Sequence, residues 1–386
     1  MIQLKDICDI YDCPHTTAKD EGKGYPLVRT PNVGKGRLIL DGIHRVSEDV
    51  YNSRNARAIP EEGDLILARE APVGNVSIIM DGQRVCLGQR VVLIKPKREL
   101  VDPHFLTYYL LSAEVQHRLK NHANGAVVAH LNVSDIRNLW VTLPELEEQV
   151  AIGKILRSID DKIELNRQIN DNLEQQAQNI FNHYFIDNPI ELGSYSEGVL
   201  TDIAVYLNGL AMQKFRPEGS DFGLPVLKIK ELGQRSCDNN SDRCSSLIKE
   251  EYIVNDGDVI FSWSGTLLVD LWCGGKCGLN QHLFKVTSDT YPKWFYYFWT
   301  KHHLDNFIRV AKDKAVTMGH IKRTELEKAN IIVPTQDKLS EINRIMSPII
   351  TEIINHRVEM RKLAQLRDSL LPQLMSGELK INEIDC

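Results

Sequence analysis

The chain has 386 residues, of which 42% are hydrophobic and 25% are charged, and its formal net charge is −6. This length favours two or more domains, and the ordinary composition excludes a low-complexity or disordered chain. The acidic balance argues against a generally basic nucleic-acid-binding protein, so any surface that binds nucleic acid has to be local.

No run of about 18 apolar residues occurs in the chain, and charges interrupt its first stretch, MIQLKDICDIYDC. We therefore expect a soluble, cytoplasmic protein with no membrane partner. The eight cysteines include no CxxC pair, and in that compartment we expect them to be reduced.

Residues 1–145 predict a β-rich domain. Short apolar runs (PLVRTPNV, DLILARE, VSIIM and RVVLIKP) are punctuated by Gly and Asp, as is typical of strands. An aromatic helix, HFLTYYLLSAEVQHRL, follows them. A Leu/Val-rich strand that ends at Pro144 then completes the domain.

Residues 146–189 predict one long helix. It begins just after Pro144, with Glu147 and Glu148 near its positive end, and stops before Asn188. Its seam repeats at heptad spacing over more than four heptads. The seam positions are Ile152, Leu156, Ile159, Ile163, Asn166, Asn170, Leu173, Ala177, Ile180 and Tyr184. The two asparagines make its centre polar.

Residues 190–335 and 336–386 repeat this plan. A second β-rich domain with its own aromatic helix, KWFYYFWTKHHLDNFI, precedes a second long helix. Thr335 is its expected N-cap and Gly377 its expected end, and Pro348 and Pro372 predict a break or kink near each. The seam positions are Ile342, Met346, Ile349, Ile353, His356, Met360, Leu363, Arg367, Leu370 and Leu374.

The duplication extends to whole blocks of sequence. The matched blocks keep their order at offsets of 188 to 199 residues. They pair YPLVRTPNV (25–33) with LPVLKIKEL (224–232), GDLILAREAPVG (63–74) with GDVIFSWSGTLL (257–268), CLGQRVVLIKP (86–96) with CGLNQHLFKV (277–286), and AVVAHLNVSDIRNLWVTLP (126–144) with AVTMGHIKRTELEKANIIVP (315–334). The chain therefore contains two copies of one plan.

The two seams have equal length and can pair with each other. An antiparallel pair with a shared centre sets Asn170 opposite His356 and Asn166 opposite Met360. A polar seam residue costs stability but fixes the register, so these residues predict a polar lock. The alternative is that they face solvent or another protein. Ile152 to Tyr184 spans 33 residues, or about 50 Å of helix, which corresponds to about 15 base pairs of DNA.

The same blocks carry a resemblance to a known family. LPVLKIKELG (224–233), the region from GDVIFSWSGTLLVDLW to GGKCGLNQHLFKV (257–286) and LRDSLLPQLMSGEL (366–379) resemble the specificity subunit of type I restriction-modification systems. LPELEEQVAIGKILRSIDDKIELNRQIN (143–170) resembles the central region of that family. The resemblance covers nearly the whole chain, although the first domain lacks the Trp-Ser-Gly core of the second.

The resemblance implies an α+β fold in which two β-rich target-recognition domains, in pseudo-twofold arrangement, are separated by two long antiparallel coiled-coil helices. Each domain would read one half of a bipartite double-stranded DNA site. The chain itself would bind no cofactor. Its partners would be two methyltransferase subunits, which use S-adenosylmethionine, and restriction or translocase subunits, which use ATP with Mg.

Motifs for catalysis are missing from the sequence, which contains no GxxxxGK[ST], no Asn-Pro-Pro-aromatic motif and no HExxH. We therefore expect a non-catalytic subunit. Cys237, Cys244, Cys273 and Cys277 could hold zinc, or a cysteine beside His282 could be a nucleophile, but structural cysteines fit the irregular spacing better.

The candidates for DNA contact lie at matched places in the two domains. Basic side chains would neutralise phosphate, and polar ones would read base edges. They are Arg29, Lys35, Arg37, Arg69, Gln89 and Arg90 in the first domain, and Lys228, Lys230, Ser262, Trp263, Ser264, Gln281 and His282 in the second. We expect the aromatic cluster Trp294–Trp299 to be core.

Two other functions fit the same observations. One is a non-catalytic helical scaffold that recruits partner proteins, and the other is the specificity subunit of another bipartite methylation or defence system. Neither the recognised bases nor the spacer length can be read from the side chains alone.

Overall fold

A computed structural model describes residues 1–122, 130–313 and 320–380 of the chain. Parts of one pair of repeat blocks, residues 126–129 and 315–319, and Cys386 lie outside the described residues. The chain forms two compact units, Met1–Asp161 with the chain from Ala364 onward, and Lys162–Leu363. These divisions fall within the two long helices, so each unit contains part of both. The boundaries predicted from the sequence, at 145, 189 and 335, stay a prediction.

The first unit is built on two small sheets. Its strands are β1 (Ile2–Gln3), β2 (Cys8–Asp12), β3 (Tyr25–Val28), β4 (Gly36–Arg37), β5 (Arg45–Val46), β6 (Leu65–Ala68), β7 (Val76–Ile78), β8 (Cys86–Leu87), β9 (Val91–Pro96) and β10 (Trp140–Val141). The five-stranded sheet has the order β2-β9-β6-β7-β4, and the three-stranded sheet has the order β5-β3-β8. β1 pairs with β10.

The helices of the first unit pack against its five-stranded and three-stranded sheets. They are α1 (Leu4–Ile7), α2 (Glu48–Arg54), α3 (Pro103–Leu111), α4 (Ala113–His122) and α5 (Val133–Arg137). α3 begins at Asp102, whose carboxylate accepts a hydrogen bond from Phe105 N at 2.8 Å and so caps the helix. The core joins β6, β9 and α3 to the buried Ile152 and Leu374 of the long helices.

The second unit repeats this arrangement. Its strands are β11 (Tyr195–Val199), β12 (Val205–Asn208), β13 (Leu224–Leu227), β14 (Arg243–Cys244), β15 (Ile253–Val254), β16 (Val259–Ser262), β17 (Leu268–Leu271), β18 (Cys277–Leu279), β19 (Leu283–Thr287) and β20 (Asn330–Pro334). The orders β12-β19-β16-β17 and β14-β13-β18-β15 match those of the first unit, with β15 added and no counterpart of β4 among the described residues.

The helices of the second unit pack around its sheets, and most of them contact an aromatic core. They are α7 (Leu200–Ile203), α8 (Ile229–Gln234), α9 (Lys293–His302), α10 (Leu304–Asp313) and α11 (Arg323–Leu326). Every residue from Trp294 to Trp299 is buried, which confirms that this cluster is core. The ring of Phe181 stacks on Phe298 with centroids 5.4 Å apart. This packing attaches the first long helix to the second domain.

The strand registers show which residues of the two domains are equivalent. β3 runs parallel to β8 with Val28 beside Leu87, and β13 runs parallel to β18 with Leu227 beside Leu279. Beyond each pair the same backbone hydrogen bond forms, from Gly88 N to Val28 O at 2.7 Å and from Asn280 N to Leu227 O at 3.2 Å. The duplicated plan read from the sequence therefore extends to individual hydrogen bonds.

Two long helices complete the fold, α6 (Leu146–Asn182, 37 residues) and α12 (Gln336–Ser376, 41 residues). A π-helical turn, His183–Asp187, follows α6. Within the second unit Asn166 contacts Glu359 and Asn170 contacts His356, so the two helices run antiparallel there. The α+β class, with two β-rich domains and long antiparallel helices, is confirmed.

The break expected in the second long helix is wrong, because α12 is continuous through Pro348 and Pro372, and a kink at either proline stays a prediction. Each proline removes one intrahelical hydrogen bond. The buried neighbours of Pro348, Met346 and Ile350, pack into the core of the second unit. Tertiary packing therefore maintains the helix where local propensity would end it.

Candidate nucleic-acid interface

A polar cavity of about 370 Å³ opens at one edge of the first domain. Arg69 and Glu70 reach it from the end of β6, and Gln89 and Arg90 reach it from the turn before β9. Arg90 has φ 64°, a left-handed conformation that is uncommon for a side chain larger than glycine. The remaining lining residues are His15 and His130. The structure thus brings three of the predicted DNA contacts together.

Arg69 is only 6% exposed, and its guanidinium is occupied within the domain. Nε donates to Leu131 O at 2.8 Å, Nη1 pairs with Asp12 Oδ1 at 2.8 Å, and Nη2 lies 2.7 Å from His130 Nε2. These contacts join strand β2 to the segment after α4. The contact of Arg69 with DNA stays a prediction, and the geometry favours a structural role for this side chain.

Gln89 and Arg90 have more freedom than Arg69. Arg90 is exposed, and its Nε lies 3.0 Å from Glu70 Oε2. Gln89 Nε2 donates to His15 O at 2.5 Å, which leaves its carbonyl oxygen as an acceptor. An exposed arginine held by one carboxylate can exchange that partner for a phosphate or a guanine edge.

The other three candidates of the first domain lie apart from this cavity. Arg29 is half-buried, and its Nε finds no hydrogen-bond partner among the described residues. Arg37 forms an ion pair with Asp161 of α6. Lys35 is exposed and lines a separate cavity of about 510 Å³ beside Tyr108 of α3. The predicted set in this domain therefore divides into two places.

The second domain places different side chains on the equivalent positions. Arg69 N donates to Arg90 O at 2.9 Å, and Trp263 N donates to His282 O at 3.4 Å. Arg69 thus corresponds to Trp263, and Arg90 corresponds to His282. Trp263 Nε1 donates to Asn208 Oδ1 at 3.0 Å, and its ring packs near those of His282 and His320. The first domain thus has two arginines, of which Arg90 is exposed, where the second has an indole and an imidazole.

The remaining candidates of the second domain have mixed surroundings. Ser262 is buried and donates to Ser264 O and Thr266 O, and Ser264 is buried too, so both hydroxyl positions belong to the fold. Gln281 is half-buried with Nε2 at 3.3 Å from His282 Nε2. As DNA contacts, the two serines stay predictions with no support from their burial.

Lys228 and Lys230 follow the end of β13, the strand that pairs with β18. Lys228 pairs with Asp242 and lines a cavity of about 380 Å³ with Arg216, Arg243 and Asn280. Lys230 is exposed, with Nζ 4.0 Å from Asp238 Oδ2. Arg216 and Arg243 could not be predicted from the sequence, because nothing in their local pattern separates them from ordinary surface arginines.

Three of the four cysteines of the second domain behave as core residues, and the fourth, Cys237, is half-buried. Cys244, Cys273 and Cys277 are buried, and burial raises the pKa of Cys273 to about 11, which disfavours a nucleophilic thiolate. Within residues 1–122, 130–313 and 320–380, no group of three His, Cys, Asp or Glu is placed to hold a metal ion. The structure therefore gives no support to the zinc or the nucleophile alternative.

The asparagines of the first seam lie in the helix pair. Asn166 and Asn170 are both buried, and Asn166 Nδ2 donates to Glu359 Oε2 at 2.7 Å, one residue from the expected Met360. Asn170 Oδ1 lies 3.2 Å from His356 Nδ1. The contact between Asn170 and His356 is present, and its role in setting the register stays a prediction.

Comparison with known proteins places this fold in a family. Residues 1–175 and 197–360 match the family model described as Type I restriction modification DNA specificity domain. Because the two matches cover most of the chain, the chain belongs to the family of type I restriction-modification DNA specificity subunits.

Two relatives are similar along most of their length. The chain is 25% identical to the Type I restriction enzyme MjaIX specificity subunit of Methanocaldococcus jannaschii, over 99% of this chain and 94% of that protein. It is 20% identical to the Type I restriction enzyme HindI specificity subunit of Haemophilus influenzae, over 84% and 88%. The crystal structure of the S subunit from M. genitalium shares the fold, with a TM-score of 0.61, 14% identity, and coverage of 97% and 95%.

Among the described residues, no helix is both long enough and apolar enough to span a membrane. A cytoplasmic location stays a prediction.

Proposed function

We propose that this chain reads a bipartite DNA target, with one recognition domain for each half-site. The observation that carries the proposal is the pair of equivalent edges, where the same backbone hydrogen bonds hold Arg69 and Arg90 in one domain and Trp263 and His282 in the other. The exposed guanidinium of Arg90 can match a guanine edge or a phosphate, whereas the His282 imidazole and the Trp263 indole offer single polar contacts and apolar surface. One scaffold with two side-chain sets is suited to two different half-sites.

The proposed role is non-catalytic. S-adenosylmethionine would bind to two methyltransferase subunits, and ATP with Mg would bind to restriction or translocase subunits, while this chain would supply the DNA sequence preference. The relatives are specificity subunits of restriction enzymes, which supports this division of labour.

The long helices are proposed as the spacer and as the docking site for those partners. The polar contacts along the pair occur at one consistent register, with Asp160 bound to Arg367 in the first unit and Asn170 beside His356 in the second. A slip of one heptad would separate both pairs, because helical partners meet only at fixed positions. A fixed register would give a fixed gap between half-sites.

Sequencing of methylated bases in the host tests the proposal. The expected result is a bipartite motif with methylated adenine in the strain that carries the gene, and its disappearance when the gene is deleted. Restoring the gene on a plasmid should restore the motif. A methylation pattern that is unchanged by the deletion would contradict the proposed function.

A further inference from the structure

The loop that precedes β3 in the first domain and β13 in the second contains an exposed residue that is not among the predicted DNA contacts. In the second domain, the segment between the helical turn Met212–Lys214 and β13 ends in Phe222, whose side chain is 92% exposed. A phenylalanine exposed to this degree has an unfavourable contact with water and no packing that compensates for it in the domain.

Hydrogen bonds fix the loop under this exposed ring. The Asp221 carboxylate accepts from Ser245 Oγ at 2.6 Å, Ser246 Oγ at 2.7 Å and Gly223 N at 2.8 Å, and these donors keep the pKa of Asp221 well below its usual range. Arg243 Nε donates to Phe222 O at 2.9 Å, and its Nη2 donates to Gly223 O at 2.8 Å. The ring therefore projects from an ordered loop.

The first domain contains the same contact between an arginine and a glycine carbonyl, which we call the latch, while its acidic residue occupies a different position. Asp20 Oδ1 accepts from Gly22 N at 3.0 Å and from Arg45 N at 2.9 Å, and Arg45 Nη1 donates to Gly24 O at 2.8 Å. Strand registers make the arginines equivalent, because Arg45 lies opposite Pro26 and Arg243 lies opposite Pro225. The residue before each latched glycine is Lys23 in one domain and Phe222 in the other.

Glycine is required at both latches. Gly24 has φ 95° and Gly223 has φ 65°, and a Cβ at either position would collide with a carbonyl of the paired strand, Val46 O or Cys244 O. The arginine and the glycine of the latch are thus shared by the two loops, whereas the residue before the glycine differs. That combination is the one expected of a recognition element on a shared scaffold.

The loops also adjoin the predicted DNA contacts. In the second domain Arg243 lines the 380 Å³ cavity together with Lys228 and Asn280, next to Gln281. In the first domain the loop starts near His15, whose carbonyl oxygen accepts from Gln89. Each latch is therefore continuous with the surface proposed to face DNA.

We infer that these two tips are further DNA contacts, with Phe222 making an apolar contact with the bases of one half-site and Lys23 contacting a backbone phosphate at the other. Phenylalanine contacts DNA through thymine methyl groups or by insertion at a base step. Lysine neutralises phosphate without reading sequence. The inference rests on the proposed function and names the residues that carry it out.

The test uses the complex isolated from the host through a tag on this chain. Binding to a duplex with the gene-dependent methylation motif is measured by fluorescence anisotropy between about 50 and 200 mM salt. Phe222→Ala should weaken binding about tenfold with the salt dependence unchanged. Lys23→Ala should weaken binding to motif and scrambled duplexes alike and reduce the slope of log K against log salt by about one.

Matched controls separate a contact with DNA from a general surface effect. Ile190 is 88% exposed in the same unit as Phe222, and Lys5 is exposed on α1 of the first domain. Ile190→Ala and Lys5→Ala should bind like the unchanged complex, and Phe222→Leu should recover most of the affinity.

Three outcomes would overturn the inference: unchanged binding by Phe222→Ala, an equal loss in Ile190→Ala, or loss of a protein subunit from the Phe222→Ala complex. The last would identify Phe222 as a protein contact. Failure of the proposed function has a different signature, since the unchanged complex would then show no preference for the motif over the scrambled duplex.

Discussion

Asn170 and His356 meet at the centre of the antiparallel helix pair, with Asn170 Oδ1 3.2 Å from His356 Nδ1. Asn170 Nδ2 also donates to Ile353 O at 3.2 Å, so both ends of the buried amide have partners on α12. Nearby, Asn166 donates to Glu359. Asn170 therefore meets a polar position of the second seam, His356, whereas Asn166 binds Glu359, which lies next to the seam position Met360.

Removing the Asn170 amide should destabilise the second unit. Asn170→Ala leaves Ile353 O and the His356 ring without that partner in a buried place, at a cost of about 1–3 kcal/mol. We expect faster amide hydrogen exchange in α6 and α12 around these residues and a lower unfolding midpoint. Asn172→Ala, at an exposed position of α6, is the control and should change neither. Equal exchange in both variants would contradict the lock.

Arg357 is a buried charged residue of α12, and we expect its replacement to destabilise the second unit more than that of Asn170. Nη1 donates to Asp270 Oδ1 at 2.8 Å, and Nη2 donates to Glu174 Oε1 at 2.6 Å. Burial alone would lower the pKa of Arg357, but the charges of Asp270 and Glu174 raise it. Arg357→Met removes this partner from the buried Asp270 and should cost about 3–5 kcal/mol of unfolding free energy.

The control for Arg357 is Arg167→Met on the exposed face of α6, where ion pairs with Glu164 and Asp171 contribute about 0–1 kcal/mol. Thermal unfolding followed by circular dichroism compares the two variants. Similar midpoints for both would show that the buried network does not stabilise the unit.

Three histidines make stability depend on pH. Burial lowers the pKa of His104, His302 and His303, so the folded chain binds fewer protons than the unfolded chain, whose histidines titrate near pH 6.5. Their contribution to stability is fully present above about pH 6.5 and is lost as pH falls through the lowered folded values. The midpoint temperature of unfolding should be lower at about pH 5 than at about pH 7. His303→Asn should weaken this dependence of the midpoint temperature on pH. A midpoint that rises on acidification would contradict this assignment.

Variants of Arg69 and Arg90 should differ in their effects, because we expect Arg69 to be structural and Arg90 to contact DNA. Arg69→Met leaves Asp12 and Leu131 O without their partner and should lower the unfolding free energy of the first unit by about 1–3 kcal/mol. Arg90→Gln should leave stability within about 0.5 kcal/mol, because its side chain is exposed. In DNA binding, Arg90→Gln should reduce the salt slope by about one. The opposite pattern would assign the roles the other way round.

The sequence predicted features that repeat or follow a period. Periodic spacing and the internal repeat were enough to predict three features. They are the two heptad seams, the burial of Trp294–Trp299 and the equivalence of Gln89 with Gln281. The structural role of Arg69 could not be predicted, because its partners Asp12 and His130 lie about 60 residues away in the chain. The hydrogen bonds from Ser245 and Ser246 to Asp221 could not be predicted either, because only the folded loops bring these residues together. Continuity of α12 through Pro348 was missed because packing outweighed propensity.

The most direct measurement is the methylated motif of a chimaera in which residues 1–145 come from another member of the family. If each domain reads one half-site, methylome sequencing should show a motif with one new half and one unchanged half, at the same spacing. Loss or change of both halves would contradict modular reading by the two domains.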